Sequence, residues 1–186
     1  MAGGRAGSRA WSRGWWRRAA RIESPNHGPR PRHTRVTLAI VHSISLPPGI
    51  YGGPEVALLF TNGLDHDTHP YFGALRGLRV SAHFFIRRDG AVTQFVACDR
   101  RAWHAGVSRW RGRANCNDFS VGIELEGLEG ERFDAPQYRA LARLLAALRA
   151  RYAIDEVVGH EQVAPGCKAD PGAGFDWPRL RRLLRT

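Results

Sequence analysis

The run Val36-Thr-Leu-Ala-Ile-Val41 is apolar at every position but one and rich in β-branched residues. A strand of that kind has no face to give to water, so it belongs inside a sheet covered on both sides. In a chain of 186 residues that requirement is met by helices flanking one sheet, and the expected class is α/β in a single domain. A second strand signal, Ser120-Val-Gly-Ile-Glu-Leu-Glu126, alternates instead. Val121, Ile123 and Leu125 share one face, and Gly122, Glu124 and Glu126 the other. Leu78 to Arg87 and Val92 to Val96 read as further strands joined through an Asp89-Gly90 turn. Pro54 opens a short helix through Phe60, and Asn62 to His69 and the stretch 103–118 read as irregular. Asp134 with Gln137 resembles a capping box, followed at helical spacing by Tyr138, Leu141, Leu144, Leu145, Leu148 and Tyr152. Asp176 caps a last helix through Leu184.

The net charge of +11 would ordinarily point to a nucleic acid or an anionic membrane. Its location argues otherwise. Residues 1–35 carry nine arginines against Glu23 alone, which leaves the rest of the chain at +3. Nucleic-acid binding is therefore expected at most as a property of the tail. No apolar run reaches the ~18 residues of a membrane span, and no apolar segment follows the basic start as a secretory signal requires. Three cysteines cannot form a complete set of pairs, which favours a reducing compartment. A soluble, cytoplasmic monomer is the expectation. Of the 28 basic residues only Lys168 is a lysine.

The chemistry-bearing residues cluster at strand ends. His42 and His160 each close an apolar run, and in open α/β sheets sites form beyond the carboxyl ends of strands. Two neutral imidazoles and one further ligand make a catalytic zinc site with a place left for water. Asp170, ten residues past His160, can be that ligand, and Lys168 at i−2 projects to the same side of an extended stretch, where an oxyanion would develop. A carboxylate in a strand fit for burial is costly unless it has a partner or a task, and general base is such a task. Alternation alone does not choose between Glu124 and Glu126. His83, among apolar neighbours, reads as a hydrogen-bonded structural histidine.

Several ordered segments carry a resemblance: Val41-His-Ser-Ile-Ser-Leu-Pro-Pro-Gly49, Gly52-Gly-Pro54, Leu78-Arg-Val-Ser-Ala-His83, Arg101-Ala-Trp-His-Ala-Gly-Val-Ser108, Asn117-Asp-Phe-Ser-Val-Gly-Ile-Glu-Leu-Glu-Gly127, Gly159-His160 and Lys168-Ala-Asp-Pro-Gly172. Together they resemble the AmpD-type 1,6-anhydro-N-acetylmuramyl-L-alanine amidases of the peptidoglycan-recognition superfamily. The resemblance starts near Trp15, so residues 1–14 are expected to be a disordered basic extension and 15–186 the amidase domain. It implies a mixed central sheet flanked by helices, and one zinc ion held by His42, His160 and Asp170. It further implies Glu124 as general base, Lys168 as transition-state stabiliser, and Ser43, Arg79, Trp103 and His104 as contacts for the muropeptide. The implied reaction is hydrolysis of the amide between the lactyl group of anhydro-N-acetylmuramic acid and L-alanine, on small anhydromuropeptides recycled in the cytoplasm. A broader amidase acting on wall fragments is the alternative. Ser43 stands where such sequences often have asparagine, which bears on fine specificity.

Overall fold

Six strands form one mixed sheet in the computed structural model, which describes residues 10–185. In chain order the strands are β1 (Trp11–Ser12), β2 (Trp15–Trp16), β3 (Ala20–Arg21), β4 (His27–Pro29), β5 (Leu38–Ile44), β6 (Phe84–Ile86), β7 (Val92–Gln94), β8 (Arg100–Ala102), β9 (Arg109–Trp110), β10 (Arg113–Ala114), β11 (Ser120–Glu126) and β12 (Glu156–Gly159). The helices are α1 (Glu55–Phe60), α2 (Pro70–Gly73), α3 (Ala135–Arg149), α4 (His160–Val163) and α5 (Trp177–Leu183). The sheet order is β12-β5-β11-β6-β7-β3, parallel from β12 to β6 and antiparallel between β6 and β7. Three two-stranded ribbons, β1–β2, β4–β8 and β9–β10, complete the strands.

The apolar run takes the interior position its composition demands: β5 lies between β12 and β11. Its Ala39 and Val41, with Val121, Ile123 and Leu125 of β11, pack under Leu141, Leu144, Leu145 and Leu148 of α3. Leu38 and Ile40 face the other way, onto Phe119, Val158 and Val163. Each large apolar side chain buried in these layers contributes about 1.5–3 kcal/mol. At the start of α3, Gln137 reaches back to accept the Asp134 N–H at 2.9 Å, while the Asp134 carboxylate takes Arg88 Nε at 2.9 Å. Asp176 caps α5, accepting the Arg179 N–H at 2.8 Å. The expected class, a single α/β domain with a mixed central sheet between helices, is the one observed. No helix of the described residues is long and apolar enough to cross a membrane.

Several local expectations change. The strand read from Leu78 to Arg87 contracts to β6, because the backbone N–H groups of Ser81 and His83 are taken by Trp103 O and Gly122 O outside any regular ladder. Val92 to Val96 likewise stops as a strand at Gln94. The short helix α2 follows the polar loop, its first turn opened by Pro70 and capped by His69 Nδ1, which accepts the Tyr71 N–H at 3.1 Å. The stretch 103–118 contains the β9–β10 ribbon and a 3-10 turn at Cys116–Asp118.

The largest correction is at the amino end. Trp11 and Trp16 pair across a hairpin that turns at Gly14, whose φ of +81° suits glycine. Trp11 is 4% exposed and lies edge-on to Phe84 at 6.5 Å and to Tyr152 at 5.8 Å. The Trp16 N–H donates to Gln94 Oε1 at 2.7 Å, and the Cys98 N–H to Gly14 O at 2.9 Å. Residues 10–14 therefore pack with the rest of the domain, although the resemblance that set the expected boundary starts near Trp15. Arginine richness hid this, because Arg13, Arg17 and Arg18 stay exposed while the Trp11 and Trp16 indoles beside them are buried. The rest of the expected extension, residues 1–9, lies outside the described residues.

Trp11→Ala should lower stability by about 3–5 kcal/mol, as large-to-small changes at buried tryptophans do. Urea denaturation read by circular dichroism measures it, and an unchanged midpoint would place Trp11 outside the core.

Candidate metal centre

His42 and Glu124 are direct register partners on the parallel pair β5–β11. Neighbouring positions in register point to the same face, so the imidazole and the carboxylate stand side by side at the carboxyl end of the sheet. His160 arrives next to them as the first residue of α4, directly after β12, and Asp170 comes from the loop beyond. That loop is tied back by the Glu161 N–H, which donates to Asp170 O at 3.0 Å.

Three of these side chains converge. His42 Nδ1 and His160 Nδ1 lie 3.0 Å apart. Asp170 Oδ2 is 3.1 Å from both, and its Oδ1 is 3.0 Å from His160 Nδ1. Among the described residues this trio is the cluster of histidine and acid donors spaced to hold a metal ion. Ligand atoms around a tetrahedral zinc with bonds of about 2.0–2.1 Å sit roughly 3.3 Å apart, close to the observed spacing. The outward nitrogens make the same point. His42 Nε2 is 2.9 Å from His104 Nδ1, and His160 Nε2 is 3.4 Å from Ala105 O, which can only accept. With the ring protons facing outward, two nitrogen lone pairs and a carboxylate are left facing one another. A cation satisfies such a set, and the residues present fit zinc.

The electrostatics agree. Burial lowers the His42 pKa to about 4, so its imidazole is neutral at neutral pH, as a ligand must be. Burial works against ionising Asp170, yet its two histidine neighbours, His160 and His42, hold it below the usual carboxylate range. Glu124 is 8% exposed, and burial, reinforced by the charge of Asp170, pushes its pKa well above the ordinary value, with Lys168 opposing. Its Oε2 has no hydrogen-bond partner. An acid held at a raised pKa beside an open cavity is suited to proton transfer.

The cavity above the trio measures about 860 Å³. Glu124, Lys168, Ser43 and Trp103 line it, and the Ser43 hydroxyl is buried without a hydrogen-bond partner. Lys168 is exposed there. Arg79 does not line the cavity; it is exposed at the rim between Leu78 and Val80, which do. His104 touches the cavity, but its Nδ1 meets His42 and its Nε2 lies 3.2 Å from Ser120 Oγ.

The structure separates the two glutamates that alternation left equivalent. Glu126 is saturated: it accepts the Gly52 N–H at 2.6 Å, the Arg88 N–H at 3.0 Å and Arg87 Nη1 at 3.1 Å. It braces the loop that follows Pro48, a lining residue of the cavity, and Tyr51 of that loop also hydrogen-bonds Glu131. Asn117 has a role that its sequence position did not suggest. Its Oδ1 accepts the His104 and Ala105 N–H groups at 3.1 and 2.8 Å, and a polar loop position carries no signal for such a role.

Residues 32–173 match the N-acetylmuramoyl-L-alanine amidase family. The 1,6-anhydro-N-acetylmuramyl-L-alanine amidase AmpD of Salmonella typhimurium is 50% identical over 168 residues, covering 89% of this chain and 90% of the relative. The crystal structure of a selenomethionine AmpD derivative superposes with a TM-score of 0.91 at 50% identity, over 93% of this chain and 98% of that one. The amidase AmiD from E. coli, in complex with the substrate anhydro-N-acetylmuramic acid-L-Ala-D-γ-Glu-L-Lys, superposes with a TM-score of 0.59 at 27% identity, over 83% of this chain and 60% of that one.

Two outcomes test the geometry. In metal-free protein the folded pKa of His42 lies at about 4 against 6.5 unfolded, so the unfolded chain takes the proton first. Stability is therefore full above pH 6.5 and falls as the pH drops from 6.5 towards 4, by an amount on the order of 3 kcal/mol from this group. Chemical denaturation in a chelator across that range measures it; a flat profile would mean that the ring is not buried neutral. Glu126→Ala should lower stability by about 2–4 kcal/mol, since it leaves Arg87 and two backbone N–H groups without their acceptor. Thermal unfolding checks it.

Proposed function

The chain belongs to the N-acetylmuramoyl-L-alanine amidase family, and on that premise we propose that it is a zinc-dependent hydrolase of cytoplasmic anhydromuropeptides. It cleaves the amide between the lactyl group of anhydro-N-acetylmuramic acid and L-alanine, in the recycling of cell-wall peptidoglycan. The observation that carries this reading is the convergence of His42 Nδ1, His160 Nδ1 and Asp170 beside the unpartnered carboxylate of Glu124. The half-identical AmpD relative supports the anhydro-sugar substrate. The free, exposed thiol of Cys167 at the cavity suits a reducing compartment. The protein acts as a monomer on a small-molecule substrate, with neither membrane nor nucleic acid as partner.

His42, His160 and Asp170 would hold one zinc ion per chain. Bound there, zinc supplies a Lewis acid that makes water nucleophilic near neutral pH and polarises the amide carbonyl. Glu124 takes the proton from the attacking water and hands it to the alanine nitrogen as the carbon–nitrogen bond breaks. Its raised affinity for a proton suits both halves of that exchange. Lys168 places an ammonium on the cavity wall, where negative charge develops on the carbonyl oxygen. Ser43 and Trp103 on the wall, and Arg79 at the rim, contact the muropeptide. Ser43 offers a shorter reach than an asparagine would, and so narrows the hydrogen bonding available to the sugar.

Purified protein should contain one zinc per chain by elemental analysis and release free peptide from anhydromuramyl-tripeptide. Absence of metal, with no cleavage restored on adding it, overturns the reading. Faster cleavage of a reduced, non-anhydro muropeptide would favour wall fragments as the substrate. Lys168→Ala and Glu124→Ala should each lower kcat by about a hundredfold or more with zinc retained, and an unchanged kcat removes that residue from the mechanism.

A further inference from the structure

His104 was expected to contact substrate, yet both of its ring nitrogens are used inside the protein. Their directions can be read from the far end of a chain of hydrogen bonds. The carbonyl of Cys116 can only accept, and Ser120 Oγ lies 2.6 Å from it, so the serine hydroxyl donates there. The same oxygen then accepts from His104 Nε2 at 3.2 Å. That leaves His104 Nδ1 bare, and it accepts from His42 Nε2 at 2.9 Å. His42 Nδ1 is thereby left without a proton, and this is the nitrogen that faces His160 and Asp170.

The ring of His104 is held in place as firmly as it is oriented. It packs against Gly122, where a Cβ would come within 2.4 Å of its Cγ. It stands edge-on to His42, with ring centroids 5.0 Å apart. Asn117 Oδ1 fixes its backbone together with that of Ala105, whose carbonyl faces His160 Nε2. A single short segment, anchored by one asparagine, thus presents the outer partner of both ligand imidazoles.

We infer that His104, oriented by Ser120, is a positioning residue that sets the tautomer and direction of His42 as a metal ligand, and does not bind the muropeptide. The inference rests on the zinc reading of the trio. Outer partners of ligating histidines fix which nitrogen is free and which way the ring points, and losing one typically weakens metal binding about 10–100-fold.

The test compares zinc affinity, by competition with a chromogenic chelator, in the wild-type chain and in His104→Leu, His104→Asn and Ser120→Ala. His104→Leu should bind zinc about 10–100-fold more weakly. His104→Asn, whose Oδ1 can replace Nδ1 as acceptor, should recover most of that loss, and Ser120→Ala should fall between. At saturating zinc the leucine variant should show a lowered kcat with KM changed less than about twofold. Wild-type zinc affinity in His104→Leu with a raised KM overturns the inference in favour of substrate contact. Should that variant fail to fold, unchanged affinity in Ser120→Ala overturns it equally. A wild-type chain that takes up no zinc fails the metal reading itself, and this inference with it, whereas wild-type uptake with unaltered variants fails this inference alone.

Discussion

The parallel register of β5 against β11 is the constraint on which the rest of the site depends. Opposing residues in register share a face, so the pairing that sets Ile123 beside Val41 in the core also sets Glu124 beside His42 at the mouth of the cavity. A slip of one residue would turn Glu124 into the layer under α3 and bring Ile123 or Leu125 to the side that faces the cavity. The core forbids that slip, because Val121, Ile123 and Leu125 fill the layer beneath α3. Hydrophobic packing thus determines where the acid stands. His160 and Asp170 then need only follow a neighbouring strand, β12, to reach the same end of the sheet.

Burying this much ionisable chemistry has a cost, and the structure meets it nitrogen by nitrogen. Histidines 42, 83 and 104 are all driven towards the neutral form, chiefly by burial. His83 accepts the Gly122 N–H at 3.0 Å on Nδ1 and turns Nε2 towards Arg100 O at 3.1 Å. Arg30, buried nearby with its pKa lowered to about 10 by desolvation, spreads its guanidinium over four backbone carbonyls, those of Cys98, Asn117, Asp118 and Ser120. Against that background the three donors left facing each other are the exception. Such a set of donors is one that a cation satisfies.

The sequence was legible where a single local pattern decided the outcome. The apolar run before His42 gave β5, the alternating run gave β11, and the stripe after Asp134 gave α3. Strand ends gave His42 and His160, and the spacing to Asp170 supplied the third member of the trio. What stayed hidden depended on partners distant in the chain. Glu124 and Glu126 are equivalent by alternation and differ only because Gly52, Arg87 and Arg88 reach the second of them. His104 read as a groove residue because its neighbours are, while its two partners lie 62 and 16 positions away. The tryptophans before residue 17 were masked by the arginines around them, since composition averages over the alternation that tells an exposed side chain from a buried one.

Glu126 ties Glu124 and the loop at Gly52 to one piece of backbone. The strand that carries Glu124 holds, two residues later, the carboxylate on which Gly52 and Arg88 are hung. The loop at Gly52 and the strand end that carries Glu124 are therefore held to one another through a single carboxylate. A foreign loop grafted over residues 47–54 would have to keep this tether or build another, because a graft that severed it would also release the strand end that carries Glu124.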